Sequence, residues 1–203
     1  MAGQVVNQGI NIAVFISGRG SNLQAIIRGC RDKKIKGRVK VVISNRRDAG
    51  GIEIAKKHGI AVFVYEKKKF SHKRYQQLTD FLKSVDIDII ALAGYLELIP
   101  PVLIRQFENR IINIHPAPLP DFGGKGMYGM KVHQKVLESN IKYTGPTVHL
   151  VDGQYDHGKV LDHYPVEIFP DDTPQLLANR VILKEHQLYV DVLSKISTGK
   201  MIL

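Results

Sequence analysis

The chain has 203 residues, 44% of them hydrophobic and 24% charged, which suits one globular domain with a full-sized core and excludes a low-complexity or fibrous protein. Its formal net charge of +10 admits either a nucleic acid or an anionic small substrate as partner. The lysines fall in "RDKKIKGRVK", "AKKHG" and "YEKKKFSHKRY", at helix ends and in connections, with no arginine-rich arm and no aromatic-interleaved basic stretch, so a small-molecule substrate is expected and a nucleic-acid face is not.

The N-terminal "MAGQVVNQG" lacks the basic start and apolar core of a signal peptide. No apolar run approaches the ~18 residues of a membrane span, so no membrane partner is expected. The single cysteine, Cys30, leaves no intrachain disulfide and no cysteine-rich zinc site; helix packing is its expected role, and a reducing cytoplasm the expected location. In chain order, "NIAVFISG" is a strand ending in glycine, and "NLQAIIRGCRDKKI" comes next with helical periodicity. "VKVVISN", "AVFVY", "IDIIALAG" and "RIINIHPA" are further strands, with helices predicted at "GGIEIAKKHG" and "SHKRYQQLTDFLKSV". This alternation predicts parallel strands with helices on both faces. Later, "VHQKVLES" reads as a short helix. "YTGPTVHLV" and "KVLDHYPVEIF" read as two strands close enough to pair antiparallel, and "TPQLLANRVILKEHQLYVDVLSKIS" as a long helix capped by Thr173 with Pro174 in its first turn. The fold class is α/β: one domain over residues 1–203, with a Rossmann-like parallel sheet extended by antiparallel strands.

Two stretches carry chemistry. In "ISGRGSNLQAI", Gly18 and Gly20 allow a tight turn where a strand passes to a helix, and Ser21 and Asn22 fall at the helix start, where free N–H groups favour an anion. Leu23 stands where a dinucleotide loop would have its third glycine, and the lysine of a P-loop is missing, so a phosphate monoester is the fitting ligand; the plainer alternative is that Ser21 or Asn22 only caps the helix. In "INIHPAPLP", period-two alternation projects Asn113 and His115 from one face of the strand, opposite Ile112 and Ile114. Pro116, Pro118 and Pro120 stiffen the exit from that strand. An asparagine amide can donate to a developing oxyanion and a histidine can move protons near neutral pH; the plainer alternative is a structural pair satisfied by neighbouring backbone. "VDGQYDHGKV" offers Asp152 and Asp156 as partners for the histidine, and spacing does not rank them. No nucleophile elbow and no His-Glu-x-x-His metal motif is present, so no metal is expected.

"ISGRGSNLQAI", "ALAGYLELIP", "NIHPAPLP", "TVHLVDGQYDHG" and "KEHQLY" occur in the order found in the phosphoribosylglycinamide formyltransferase family, which this chain resembles from about Ile10 to Ile196. The resemblance implies the formyltransferase fold, a cytoplasmic enzyme of purine biosynthesis and one-carbon metabolism, and transfer of a formyl group from the co-substrate 10-formyltetrahydrofolate to the amine of glycinamide ribonucleotide. It implies Asn113, His115 and Asp156 as catalytic, with Asp156 singled out because it directly precedes the residue-glycine pair. His115 is implied to be protonated during the reaction, with its pKa raised by Asp156. Gly18, Gly20, Ser21, Asn22 and Glu185 are implied to bind the ribonucleotide, and Tyr95, Leu96, Leu98, Ile99, His149 and Val151 the folate. The N-terminal half would hold the phosphate, and the C-terminal half the folate site and long helix. The resemblance also implies a cis peptide at Leu119–Pro120. It leaves monomer or homodimer open.

The chain departs from the family pattern at Glu97, Ile182 and His157, and in "FGGKGMYGMK", which is longer and richer in glycine. That segment is expected to be a flap that brings Lys125 to the ribonucleotide. Methionyl-tRNA formyltransferases and formyltetrahydrofolate hydrolases share the trio and are the alternatives. The former usually carry a further domain after the catalytic one and the latter one before it, and neither is expected in this chain.

Overall fold

The computed structural model describes residues 9–65 and 72–203. The first half alternates as the periodicity predicts: β1 (Ile10–Ile16), α1 (Ser21–Arg31), β2 (Gly37–Ser44), α2 (Gly51–Lys57), β3 (Ala61–Val64), α3 (His72–Ser84) and β4 (Ile89–Leu92). Ser71, expected to open the third helix, lies outside the described residues. α1 is shorter than its pattern, because Lys33 adopts φ 59° and turns the chain so that Ile35 tucks into the core. Next come α4 (Pro101–Gln106), β5 (Ile111–His115) and α5 (Met130–Glu138). α4 is not among the elements that periodicity predicts; at six residues it is too short to show a repeat, and Pro101 at its first turn is its one signal.

The two later strand runs are each broken. "YTGPTVHLV" divides into β6 (Tyr143–Thr144) and β7 (Thr147–Leu150), and "KVLDHYPVEIF" into β8 (Val160–His163) and β9 (Val166–Glu167). β7 and β8 pair antiparallel as expected, while β6 and β9 form a separate two-stranded ribbon. The breaks fall at Gly145–Pro146 and Tyr164–Pro165. Gly145 has φ 132°, and a Cβ on it would lie 1.9 Å from the Tyr164 carbonyl oxygen, so the two corners turn against each other. The long helix α6 runs from Pro174 to Ser197, and the Thr173 side chain accepts a hydrogen bond from the Leu176 N–H.

The main sheet has the order β3-β2-β1-β4-β5-β7-β8; its first five strands are parallel, and the last two are antiparallel additions. Alternate residues divide its two faces. Ile12, Val14, Ile16, Ile112 and Ile114 pack beneath α1 and α6, and Ala13, Phe15, Ile90, Leu92 and Ile111 face α3 and α4. The sequence order reverses between β1 and β4, which puts a crevice at the carboxyl ends of the central strands. α6 is tied to that crevice by Tyr189, whose buried hydroxyl lies 3.0 Å from the Leu92 carbonyl oxygen and 3.2 Å from that of Ile112.

A third, smaller core gathers Ala117 and Phe122 with Val132 and Val136 of α5 and Leu177 and Val181 of α6. It seats the proline-rich segment that leaves β5, in which Leu119–Pro120 is cis. The chain emerging from the crevice is thus held by its own side chains as well as by its prolines.

Candidate active site

Three strand exits meet at the crevice. The Ser17 N–H donates to the Gly94 carbonyl at 3.2 Å, and the Leu96 N–H donates to the Ser17 hydroxyl at 3.0 Å, which joins the exits of β1 and β4. Leu92 of β4 stands in register with Asn113 of β5, and Asn113 with His149 of β7. The four sequence-predicted residues Asn113, His115, His149 and Asp156 converge here.

Asp156 sits in a loop with φ 54°, a left-handed conformation that aspartate tolerates better than most side chains. Two hydrogen-bond donors and two imidazole rings surround its carboxylate. Oδ1 accepts from the Asn113 amide at 3.3 Å and lies 3.6 Å from His149 Nε2; Oδ2 accepts from the Gly124 N–H at 3.1 Å and lies 3.5 Å from His115 Nδ1. Burial works to raise its pKa, but His149, His115 and the Gly124 N–H outweigh that, and the net direction is down. Asp152 instead pairs with His157 Nδ1 at 2.6 Å, on the exposed side of the loop. The two aspartates that spacing leaves unranked are separated by the fold.

His115 is 3% exposed, and its Nε2 lies 2.8 Å from the Phe122 carbonyl oxygen. One ring nitrogen therefore faces a carbonyl and the other a carboxylate, an arrangement that an imidazolium satisfies at both ends. Burial is nevertheless the largest influence on the ring. It lowers the pKa more than Asp156 and the Phe122 carbonyl raise it, and His149 lowers it further. Asp156 thus raises the ring's pKa, the direction the resemblance implies, but with so little solvent around the ring the cost of charging it exceeds what Asp156 returns.

His149 Nδ1 lies 2.7 Å from the Leu150 carbonyl oxygen, which assigns the proton to that nitrogen and leaves Nε2 to accept from Asn113 at 3.0 Å. Both hydrogens of the Asn113 amide are therefore engaged, one by His149 and one by Asp156.

At the β1–α1 turn, neither Ser21 nor Asn22 caps the helix. Gly20 is the N-cap, with φ 84° and no side-chain bond, so the capping alternative fails. Gly20 must be glycine, because a Cβ would lie 2.6 Å from Gly51 Cα at the start of α2. Gly18 has an ordinary φ and open space around it; its carbonyl accepts from the Gly51 N–H at 3.1 Å. Asn22 is turned inward, and its amide donates to Glu185 Oε2 at 2.7 Å, pinning α1 to α6. Burial pushes Glu185 up to about 7 against this hydrogen bond. Asn22 Oδ1 is buried without a partner.

Tyr95, Ile99 and Val151 pack in one apolar cluster, with Leu96 (46% exposed) and Leu98 (42% exposed) left open to solvent beside them. Among the described residues, no group of three or more His, Cys, Asp or Glu is arranged to hold a metal ion. No described helix is long and apolar enough to cross a membrane.

The family described as formyl transferase matches residues 10–193. The chain belongs to the formyl transferase family. It is 47% identical over 188 residues to the chloroplastic phosphoribosylglycinamide formyltransferase of Arabidopsis thaliana, covering 91% of this chain and 64% of that protein. It is 35% identical over 196 residues to the phosphoribosylglycinamide formyltransferase of Escherichia coli, covering 95% and 89%. The chain thus spans less than two thirds of the plant relative's length but most of the bacterial one's. Among solved structures, glycinamide ribonucleotide transformylase 1 from Symbiobacterium toebii superposes with a TM-score of 0.88 at 35% identity, covering 97% of this chain and 91% of that one.

The family reading of the sequence omits two contacts that the fold supplies to the candidate site. The Phe122 carbonyl and the Gly124 N–H are main-chain groups, invisible to a search for chemical side chains. They also revise the flap expectation: the first half of "FGGKGMYGMK" is bonded to His115 and Asp156, and only the part from Lys125 to Gly129 stands free of them. His133 is a further residue that sequence reasoning passes over. It is 6% exposed, its Nδ1 has no partner, and burial, with His115 nearby, lowers its pKa to about 4.

Proposed function

We propose that this protein transfers a formyl group from 10-formyltetrahydrofolate to the amine of glycinamide ribonucleotide; its relatives in Arabidopsis thaliana and Escherichia coli carry the name phosphoribosylglycinamide formyltransferase. The observation that carries the reading is the convergence of Asn113, His115 and Asp156 at one strand end, beside a glycine turn whose helix start is free of any side-chain cap.

The donor fits the wall formed by Tyr95, Leu96, Leu98, Ile99 and Val151, because two leucines stay exposed next to buried neighbours, as a surface awaiting a flat ring does. When bound, it supplies an already activated formyl carbon. The turn from Gly18 to Asn22 receives the acceptor's phosphate on its main-chain N–H groups. Glu185, held by Asn22, contacts the ribose. The new bond forms between the acceptor's amine nitrogen and the formyl carbon, and the bond from that carbon to the donor's nitrogen breaks. Asn113 donates to the formyl oxygen as negative charge builds there. Because both its hydrogens are engaged, it does so by giving up the longer bond, the 3.3 Å one to Asp156. That frees Asp156, ionised at neutral pH, to accept the amine's proton, directly or through water, and to favour the charged form of His115 beside the oxygen. The proton passes on to the departing nitrogen.

This reading treats the chain as one formyltransferase domain of the cytoplasm with small-molecule partners. The test is formyl transfer from 10-formyltetrahydrofolate, with glycinamide ribonucleotide present or omitted. Loss of the formyl group at equal rates in both arms would mark a hydrolase instead.

A further inference from the structure

We propose that the main chain of Phe122, Gly123 and Gly124 is the positioning element for both His115 and Asp156, and that Gly123 is the residue on which that positioning depends. The inference rests on the formyl-transfer reading above for its catalytic consequence, but not for its geometry.

Three observations on consecutive residues carry it. The Phe122 carbonyl receives His115 Nε2 at 2.8 Å, which fixes the ring's rotation and the nitrogen that bears its proton. The Gly124 N–H donates to Asp156 Oδ2 at 3.1 Å, the same oxygen that faces His115 Nδ1 at 3.5 Å. Between them, Gly123 lies so close to the site that a Cβ on it would stand 2.9 Å from Asp156 Cβ, 3.4 Å from the Asp156 carbonyl oxygen and 2.6 Å from Leu119 Cδ2. Leu119 is flexible at its tip and can yield. Asp156 cannot move without carrying its carboxylate off Asn113, His115 and the Gly124 N–H together.

Gly123 does not owe its place to a left-handed backbone. Its φ lies outside the positive region that Gly124 (φ 101°), Gly126 (φ 92°) and Gly129 (φ 60°) occupy, and those three have open space where a Cβ would go. The glycines of this segment therefore have two different purposes. Gly124, Gly126 and Gly129 turn the chain, and Gly123 admits the aspartate. Phe122 anchors the segment from below, with its ring in the small core beneath α5. The strap is thus fastened at one end by apolar burial and at the other by the carboxylate it orients.

The titratable groups facing His115 are Asp156, His149 and His133, and of these Asp156 alone raises its pKa. Displacing Asp156 therefore lowers it. The experiment tracks the His115 ring by NMR across pH in the wild type, in Gly123→Ala and in the control Gly126→Ala, alongside steady-state kinetics. Gly123→Ala is expected to shift the His115 titration downward by about half a pH unit or more. It should also cut kcat by ~10- to 100-fold with both KM values within about twofold. Gly126→Ala strains a left-handed backbone (φ 92°) in the same segment without touching Asp156, and should leave the His115 titration at the wild-type value. If Gly123→Ala does not fold, Leu119→Ala with Gly123→Ala removes the leucine contact and keeps the aspartate one, with the same expectation. An unchanged titration in the variant, or an equal shift in Gly126→Ala, overturns the proposal. The titration needs no turnover, so a wild type that transfers no formyl group would defeat the functional reading while this one is still decided.

Discussion

His115 is held between two opposing effects. Burial discourages its charge, and Asp156, at 3.5 Å, encourages it. Asp156→Asn removes the encouragement and keeps the shape, so turnover is expected to fall by ~10²-fold or more, the range for a lost proton acceptor or charge partner. Asp152→Asn breaks only the surface pair with His157 and is expected to stay within a few-fold of wild type. Side-by-side kcat measurements decide, and a reversed order would place the working carboxylate at Asp152.

Glu185 makes a second prediction at this scale, one of stability. Its folded pKa is raised from 4.5 to about 7 by burial. Below 4.5 both the folded and unfolded chains hold the proton, and the residue costs nothing in charge burial. As pH rises through the window from 4.5 to about 7, the unfolded chain releases its proton while the folded one keeps it, so stability falls. Above that window the penalty is constant, on the order of 3 kcal/mol. Glu185→Gln keeps an acceptor for Asn22 and removes the titration. Between pH 5 and pH 8, the denaturant midpoint should therefore drop more for the wild type than for Glu185→Gln.

At the scale of elements, the long helix and the sheet are coupled through one hydroxyl. Tyr189 is fully buried and presents its oxygen to the carbonyls of Leu92 and Ile112, on β4 and β5, two of the strands that end at the crevice. Tyr189→Phe is expected to cost about 1–2 kcal/mol in unfolding free energy, the usual loss for a buried hydrogen bond. An unchanged denaturation midpoint would mean the strand ladder satisfies those carbonyls without it. The elements that the periodicity misjudged have a common cause. α4 is too short to repeat, and β6 and β9 are two residues each. The corners that split the later strands are set by Gly145 packing on Tyr164, a contact between residues far apart in sequence, so each run reads as one continuous strand until both are placed together.

For the whole molecule, the net charge of +10 is the feature that most invites another reading. Several of its cations are already engaged at the surface: Arg31 with Asp32, Arg46 with Asp48, Lys56 with Glu53 and Lys195 with Asp162. Such pairs break a basic field into pieces. A tRNA acceptor would need a continuous one, and its binding would weaken steeply with salt as counterions are released. Formyl transfer to glycinamide ribonucleotide is expected to show a shallow salt dependence and to be little inhibited by excess methionyl-tRNA. Efficient formylation of that tRNA would reverse the choice of acceptor.

The alternation of strands and helices, the face on which Asn113 and His115 project, and the turn at Gly20 are legible in the residues alone, because each comes from local periodicity or from the conformational freedom of one residue. The order of motifs was enough to place the chain beside a formyltransferase family. Spacing does not rank the two aspartates and the resemblance names Asp156; its contact with His115, the inward turn of Asn22 to Glu185 and the room that Gly123 leaves for Asp156 are visible in the folded chain alone. Each of these depends on distance between segments far apart in the chain. Burial was hidden for the same reason: the direction in which His115 and Glu185 shift is set by how much water their neighbours exclude, and those neighbours come from strands and helices that the local sequence does not name.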